Sequence, residues 1–176
     1  MPLEDNFKAP LESHTSDSGH SWTTLQDQHG YIAGIQPNDT FHQSSWTPSS
    51  PDYSVTLDLV NIGTPTAATV FAIGRWTGDD TGPYYAAVFD NFSSGKKLRL
   101  IKVIGANESE LASAILAEAP SQLMWSASGN LITAMAGGDI LTVPDSSITD
   151  AGFAGMYGNG NVDRSNGIII TKITTA

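Results

Sequence analysis

Residues 11–23, LESHTSDSGHSWT, bring together carboxylate, imidazole and hydroxyl groups, the side-chain types of a hydrolytic site. Such a site needs a nucleophile, a base within about 3 Å and an orienting acid. Adjacent residues of a strand point to opposite faces, so His20 and Ser21 cannot form a dyad there. The chain also lacks a G-x-S-x-G sequence. We therefore expect residues 11–23 to be structural and not catalytic.

Metal binding is not expected from the histidines. They lack the i, i+4 helical pair or the H-x-H strand spacing that would bring two imidazoles to one ion; they are His14, His20, His29 and His42. Calcium could bind carboxylates on adjacent loops without a linear motif, and Asp79-Asp80 lies in a predicted turn. We interpret that pair as a solvated turn and expect neither a metal nor a cofactor.

Glycoside hydrolysis would need paired carboxylates. Retaining enzymes hold two acids about 5 Å apart, for instance on alternate positions of one strand. The short-spaced pair in this chain, Glu108 and Glu110, lies in a polar stretch beside Asn107 and Ser109. Exposure there would leave both carboxylates near their ordinary pKa. We therefore expect no enzymatic activity.

A candidate ligand loop spans residues 75–85, RWTGDDTGPYY. Sugars are bound by aromatic faces together with planar polar groups, and this segment supplies both. The candidate ligand-binding residues are Arg75, Trp76, Asp79, Asp80, Tyr84 and Tyr85. The alternative is that Trp76 and one tyrosine are core residues on paired strands, with Arg75 neutralising Asp79 or Asp80.

Composition favours strands and excludes several partners. The 176 residues include 17 Gly and 9 Pro, with 40% hydrophobic but only 15% charged residues, which indicates strands joined by turns in one domain. A formal charge of −10 argues against nucleic acid and anionic membranes as partners. The chain has no cysteine for disulfides, no apolar run long enough to span a bilayer and no apolar segment of a secretion signal. We expect it to be made and folded in the cytoplasm.

Periodicity places many short strands along the chain. In YSVTLDLV, residues 53–60, apolar and polar residues alternate as in a half-buried strand. Similar runs follow at 68–76, 84–90, 97–104, 122–128, 131–137, 139–144, 153–158 and 167–174, separated by turn sequences. Residues 123–143 read as a β-meander. Residues 108–120 have near-helical spacing but could equally be a strand and a short loop. Such a pattern is typical of a sandwich or barrel.

The order of these pieces resembles a known family. The opening DNF…LESHTSDSGHSWT, the strands YSVTLDLV, FAIGRW, YYAAVFD and LRLIKV, the SGNLITAMAGGD meander and the SITDAGFAGMYGNGN ending are similar to the concanavalin A-like lectin/glucanase (laminin-G-like) jelly roll. The opening looks like the start of such domains in bacteriophage structural proteins. The resemblance covers about residues 5–174 and implies an all-β, antiparallel two-sheet jelly-roll sandwich, which we place at residues 7–176 after an extended arm at 1–6. It also implies that residues 11–23 form an early strand or edge, a turn at residues 16–19, and a second short strand whose Trp22 lies in the core.

The resemblance leaves three functions to compare. The first is a non-enzymatic virion accessory protein, a capsid decoration (cement) protein on the outer surface of a bacteriophage. It would self-associate and bind the major capsid protein or another virion protein. The second is a glycan-binding adhesion module of a tail fibre or similar appendage, and the third is a glycoside hydrolase. We expect the first, located on the virion surface after assembly in the host cytoplasm.

Overall fold

A computed structural model describes residues 4–5, 14–16, 21–27, 30–36, 40–44, 47–62, 67–79, 81–160 and 167–176. For residues up to 44, and for 62, 160 and 167–169, it describes the backbone alone. Within these residues every element is a strand, and all pairings are antiparallel. The expected all-β, two-sheet sandwich is confirmed. The described residues include no helix that could cross a membrane.

Among the described residues, one sheet has eight strands. Its path runs β13 (Asp139–Pro144), β12 (Leu131–Ala136), β11 (Gln122–Ser128), β6 (Ser54–Ile62), β15 (Gly167–Thr175), β4 (Gly30–Gln36) and β3 (Ser21–Asp27), with β1 (Glu4–Asp5) paired to β15. The predicted meander is confirmed, since the three consecutive strands β11, β12 and β13 pair in order. Their connections at Gly129 and at Gly137–Gly138 have positive φ, which glycine adopts without strain.

The second sheet has seven strands in the part of the chain that the structure describes. Its order is β10 (Asn107–Leu116), β9 (Gly95–Ile104), β8 (Tyr84–Phe92), β7 (Ala67–Trp76), β14 (Phe153–Gly160), β5 (Thr40–Ser44) and β2 (His14–Ser16). Residues 107–116 therefore form an edge strand. Of the two alternatives for residues 108–120, a helix or a strand with a short loop, the structure has the strand.

The core lies between the two sheets. Along β6 and the residue before it, Tyr53, Val55, Leu57 and Leu59 are buried, while the residues between them are half-buried. They pack against inward residues of the other sheet such as Leu100. The period of two in YSVTLDLV thus separates core from surface as predicted.

Part of the second face of the seven-stranded sheet is also buried. A separate apolar cluster covers the side that points away from the core. This outer cluster consists of Phe71, Ile73, Trp76, Tyr84, Ala86, Val88, Ile101 and Val103, with Tyr157 packed against it. Strands β7, β8 and β9 therefore carry apolar residues on both faces, which is why their sequences alternate less clearly than β6.

The opening segment divides between the two sheets. β2 pairs with β5 in the seven-stranded sheet, whereas β3 pairs with β4 in the eight-stranded sheet. The predicted turn at 16–19 is described only at its first residue, and the side chain of Trp22 lies outside the described residues, so its core position stays a prediction. In the predicted arm, Glu4–Asp5 pair with β15 of the chain's own sheet.

Candidate functional site

The segment 75–85 is anchored in the protein interior. The side chains of Arg75, Trp76, Tyr84 and Tyr85 are at most 3% exposed. Trp76 and Tyr84 belong to the outer cluster, while Tyr85 belongs to the core between the sheets. The three rings present no face to solvent, which matches the alternative of core residues on paired strands. A ligand role for the six residues stays a prediction; Asp79 is exposed, and Asp80 lies outside the described residues.

Arg75 joins three loops at one end of the sandwich. Its Nε donates to the carbonyl of Pro51 at 3.1 Å. Its Nη1 donates to Ile148 at 2.7 Å and its Nη2 to Gly129 at 2.8 Å. A planar guanidinium supplies donors in several directions at once, so one buried side chain satisfies three carbonyl groups.

Arg75 forms an ion pair with Asp52. Its Nη2 lies 3.5 Å from Oδ1 of Asp52. Asp79 instead caps its own turn, where its Oδ1 accepts hydrogen bonds from the backbone and hydroxyl of Thr81. The guanidinium thus extends towards the loops of residues 51, 129 and 148, and the expectation that Arg75 neutralises Asp79 or Asp80 stays a prediction, since Asp80 lies outside the described residues. The backbone of Arg75 has a φ of 51°. It lies so close to Gly152 that a β-carbon on Gly152 would be 2.7 Å from the carbonyl carbon of Arg75.

A second polar network joins the sheets around Asp145. Its Oδ1 accepts from the Tyr85 hydroxyl at 2.6 Å, and its Oδ2 accepts from Nζ of Lys102 at 2.7 Å. Burial raises the pKa of Asp145, but hydrogen bonds from Lys102, Tyr85 and Ser147 outweigh burial and hold that pKa well below its ordinary range. Burial, followed by the bond to Asp145, raises the pKa of Tyr85 to about 12. At neutral pH Asp145 is therefore ionised and Tyr85 is uncharged, and the hydrogen bond between them joins the two sheets.

The outer face of the seven-stranded sheet carries a strip of charged side chains beside the outer cluster. In register, Asp90 pairs with Lys97 and Val88 with Arg99. On the other side of β9, Glu108 pairs with Val103 and Glu110 with Ile101. Residues opposite one another on neighbouring strands share a face, so these side chains project on the same side as the outer cluster. We call Asp90, Lys97, Arg99, Glu108 and Glu110 the charged strip.

Asp90 fixes the position of Arg99. The Asp90 carboxylate is 8% exposed and accepts a hydrogen bond from Nε of Arg99 at 2.6 Å. Its Oδ1 also accepts from the Thr69 hydroxyl at 2.9 Å. Burial lowers the pKa of Arg99, but the bonds to Asp90 and Glu108 raise it above its ordinary value. The guanidinium is thus a fixed cation at the centre of the strip.

The two glutamates of β10 are paired with cations. Glu108 accepts from Nη1 of Arg99, and Glu110 accepts from Nζ of Lys97 at 2.9 Å. Hydrogen bonds from Ser113 and Lys97 lower the pKa of Glu110. The expectation of an ordinary pKa is wrong for Glu110, because neighbouring donors stabilise its ionised form. Both side chains stay accessible, at 45% exposure for Glu108 and 38% for Glu110.

Aromatic rings border the same face on β14 and β7. Tyr157 is half-buried and packs against Phe71 with ring centroids 4.7 Å apart. Its hydroxyl accepts a hydrogen bond from Nδ2 of Asn159 at 3.2 Å. In register, Asn159 lies opposite Thr69, which in turn lies opposite Asp90. Asn159, Thr69 and Asp90 therefore lie in one row across three neighbouring strands, and the row ends at the charged strip.

The sequence reasoning missed this face. Its polar residues come from β7, β8, β9, β10 and β14, so no linear motif joins them. The available signal was the alternation in GKKLRLIKV, residues 95–103, where Lys97 and Arg99 interrupt an apolar strand. Charged residues that alternate with core residues indicate a solvent-facing sheet surface.

The described residues contain no group of three or more histidine, aspartate or glutamate side chains that could hold a metal ion. His14 and His42 lie on the paired strands β2 and β5, where only the backbone is described. His20 and His29 lie outside the described residues. The expectation that the histidines bind no metal therefore stays a prediction.

Solved structures with the same fold match along almost the whole chain. The VIP36 exoplasmic/lumenal domain, in a Ca2+/Man3GlcNAc-bound form, has a TM-score of 0.66 at 12% identity over 99% of this chain and 87% of that one. The CBM2 module of the evolved Dit of Lactobacillus casei BL23 phage J-1 has a TM-score of 0.63 at 12% identity, covering 98% and 93%. Carbohydrate-binding module CBM66 from Bacillus subtilis has a TM-score of 0.59 at 16% identity, covering 91% and 94%.

These similarities establish the fold. The chain is a concanavalin A-like jelly-roll sandwich, as the sequence resemblance implied. No protein-family description matches the sequence, and no curated protein matches it either.

Proposed function

We propose that this chain is a non-catalytic carbohydrate-binding domain that binds its saccharide at the charged strip. The observation that carries the proposal is the arrangement of Arg99. The 8%-exposed carboxylate of Asp90 fixes the guanidinium beside the accessible carboxylate of Glu108, on the outer face of the sheet. A donor and an acceptor are thus held side by side before any ligand arrives, which lowers the entropic cost of binding.

The chemistry of the strip suits a polyhydroxylated ligand. Lys97 and Arg99 donate hydrogen bonds, whereas Glu108 and Glu110 accept them, and a sugar hydroxyl can do both. Opposite charges alternate, so the surface has no strong preference for an ionic ligand. Ile115 is 76% exposed and lies opposite Lys97, where it offers an apolar contact for the C–H face of a sugar ring.

Two of the structural relatives named above support this proposal. They are a carbohydrate-binding module from Bacillus subtilis and the CBM2 module of a phage Dit. The likeness extends over more than nine-tenths of each chain.

Ionisation of the strip argues for binding without hydrolysis. A glycosidase pair needs a general acid that holds a proton at the working pH, so one of its two carboxyl groups has a raised pKa. Hydrogen bonds from Ser113 and Lys97 instead lower the pKa of Glu110, and Glu108 is paired with Arg99. Both groups are suited to accept hydrogen bonds from hydroxyls.

A glycan array tests the proposal. Wild-type protein is expected to bind a defined set of glycans, and Arg99→Ala is expected to lose at least about tenfold in affinity because charge-assisted bonds contribute about 1.5–3 kcal/mol. Lys96→Ala is the matched control, since it removes a cation from the same strand at a residue whose side chain projects to the opposite side of the sheet from Lys97. Glycan binding that both variants retain would place the site elsewhere, and absence of binding to any glycan would reject the function.

We further propose that the domain acts on a bacteriophage virion, supported by the similarity to the module of the phage J-1 Dit. Capsid decoration, which the sequence analysis favoured, stays a prediction, as do self-association and a location on the virion surface. Co-sedimentation with purified phage capsids would test decoration. Protein that stays in the supernatant at every capsid concentration would exclude it.

A further inference from the structure

A pocket of about 250 Å³ opens on the outer face of the eight-stranded sheet, away from the charged strip. It lies where β11 begins and β12 ends. The described residues that line it are Thr56, Ser121, Gln122, Met124, Met135, Ala136, Gly137 and Gly138. Ligand pockets for drug-sized molecules begin at about 300 Å³, so this pocket suits a somewhat smaller group.

Two methionines form its apolar part. Thr56, Met124 and Met135 lie opposite one another on β6, β11 and β12. Their neighbours along the strands, such as Leu123 and Ala134, point into the core, so both methionines point outward. Each is half-buried. Methionine side chains adapt to the shape of a bound group and are frequent at binding surfaces.

A fixed amide forms its polar part. Nε2 of Gln122 donates to Oδ1 of Asp58 at 2.7 Å, which orients the Gln122 side chain and directs its acceptor oxygen away from that carboxylate. The hydroxyls of Ser121 and Thr56 add groups that can donate. Asp58 is compensated by Lys172 at 3.1 Å.

No charged residue is among the described residues that line the pocket. A neutral ligand is therefore favoured, since an ion would lose its hydration without gaining a counter-charge. The ligand must combine a small apolar group for the methionines, a donor for the Gln122 oxygen and an acceptor for a hydroxyl. An acetamido group has all three: a methyl, an N–H and a carbonyl.

We propose that this pocket is a second ligand site, which binds the acetamido group of an N-acetylated sugar. The site is independent of the charged strip, because the two lie on the outer faces of different sheets. The domain could then contact a glycan at two separate surfaces.

Methionine methyl groups allow a direct test. The chain has four methionines, at positions 1, 124, 135 and 156. In protein labelled with 13C at the methionine methyls, N-acetylglucosamine is expected to shift the signals of Met124 and Met135. Met156 is fully buried in the core and serves as an internal reference. Glucose, which has a hydroxyl in place of the acetamido group, is expected to shift neither signal. No shift with N-acetylglucosamine, or equal shifts with glucose, would overturn the proposal.

A variant pair locates the polar contact. Gln122→Leu keeps the length of the side chain but removes the acceptor, so the dissociation constant for N-acetylglucosamine is expected to rise about tenfold. Thr133→Val is the control, since Thr133 lies on the same face and hydrogen-bonds Thr142 at 3.1 Å but does not line the pocket. Affinity unchanged by Gln122→Leu at an unchanged melting temperature would contradict the assignment. Arg99→Ala is expected to leave the methyl shifts intact, so this test is separate from that of the charged strip.

Discussion

The ring of Trp125 packs directly on the backbone of Gly74, across the space between the two sheets. A β-carbon on Gly74 would lie 2.0 Å from Cζ3 of the indole. The ring also meets Tyr53 edge to face, with centroids 5.1 Å apart. Glycine is thus required in β7 by packing from β11.

Gly74→Ala is expected to lower the free energy of unfolding by about 1–3 kcal/mol, because the added methyl overlaps the Trp125 ring in a closely packed core. Urea denaturation followed by circular dichroism measures this change. The double variant Gly74→Ala/Trp125→Leu should lose less than the sum of the single variants, since the smaller residue makes room for the methyl. Strict additivity would show that the two residues do not touch.

Arg75→Lys should destabilise the fold although the charge is kept. A lysine cannot reach three carbonyl groups in the fork geometry of a guanidinium, and each buried carbonyl left without a donor costs about 1–3 kcal/mol. The carbonyl groups that would lose their Arg75 donor belong to Pro51, Gly129 and Ile148. The denaturation midpoint is the readout, and a midpoint equal to wild type would contradict this role.

Trp76→Ala distinguishes a core residue from a ligand residue. Trp76 is 0% exposed, and its Nε1 donates to the carbonyl of Asp79 at 2.7 Å. Truncation should cost about 3–5 kcal/mol of stability through the cavity it leaves. If the variant melts like wild type but no longer binds glycan, the candidate loop at 75–85 is the ligand site after all.

Stability should fall in acid partly through Asp145. Its pKa is depressed in the folded state, so its contribution is full above the unfolded pKa of about 3.9 and is lost as pH falls towards the folded value. Asp145→Asn should be less stable than wild type at pH 7, and the gap should narrow below about pH 4. A gap that stays constant down to pH 2 would contradict the assignment.

Sequence patterns predicted most strands after residue 50 because one face of each is core. Tyr53 to Leu59 alternate cleanly, and the meander is bounded by glycine turns. The strand β10 was ambiguous for a physical reason. A bulge between Glu110 and Ala112 shifts the register against β9, which breaks the period of two and imitates helical spacing.

The site was harder to predict than the fold. The aromatic side chains of the segment 75–85 are of the type that binds sugars, and they lie close in sequence. They are nevertheless buried, because Tyr85 lies in the core between the sheets and Trp76 and Tyr84 lie in the outer cluster. The charged strip depends on pairing between Asp90, Arg99 and Glu108, which come from three strands. Long-range register of this kind cannot be read from local periodicity.

The most direct test of the carbohydrate-binding account is a map of backbone amide chemical shifts during titration with a glycan that was selected on the array and lacks an acetamido group. The account predicts the largest changes at residues 97–99 and 108–110, with smaller changes near Tyr157 and none along β13. Shifts confined to the turn at residues 77–82, or spread over β12 and β13 with β9 and β10 unchanged, would contradict it.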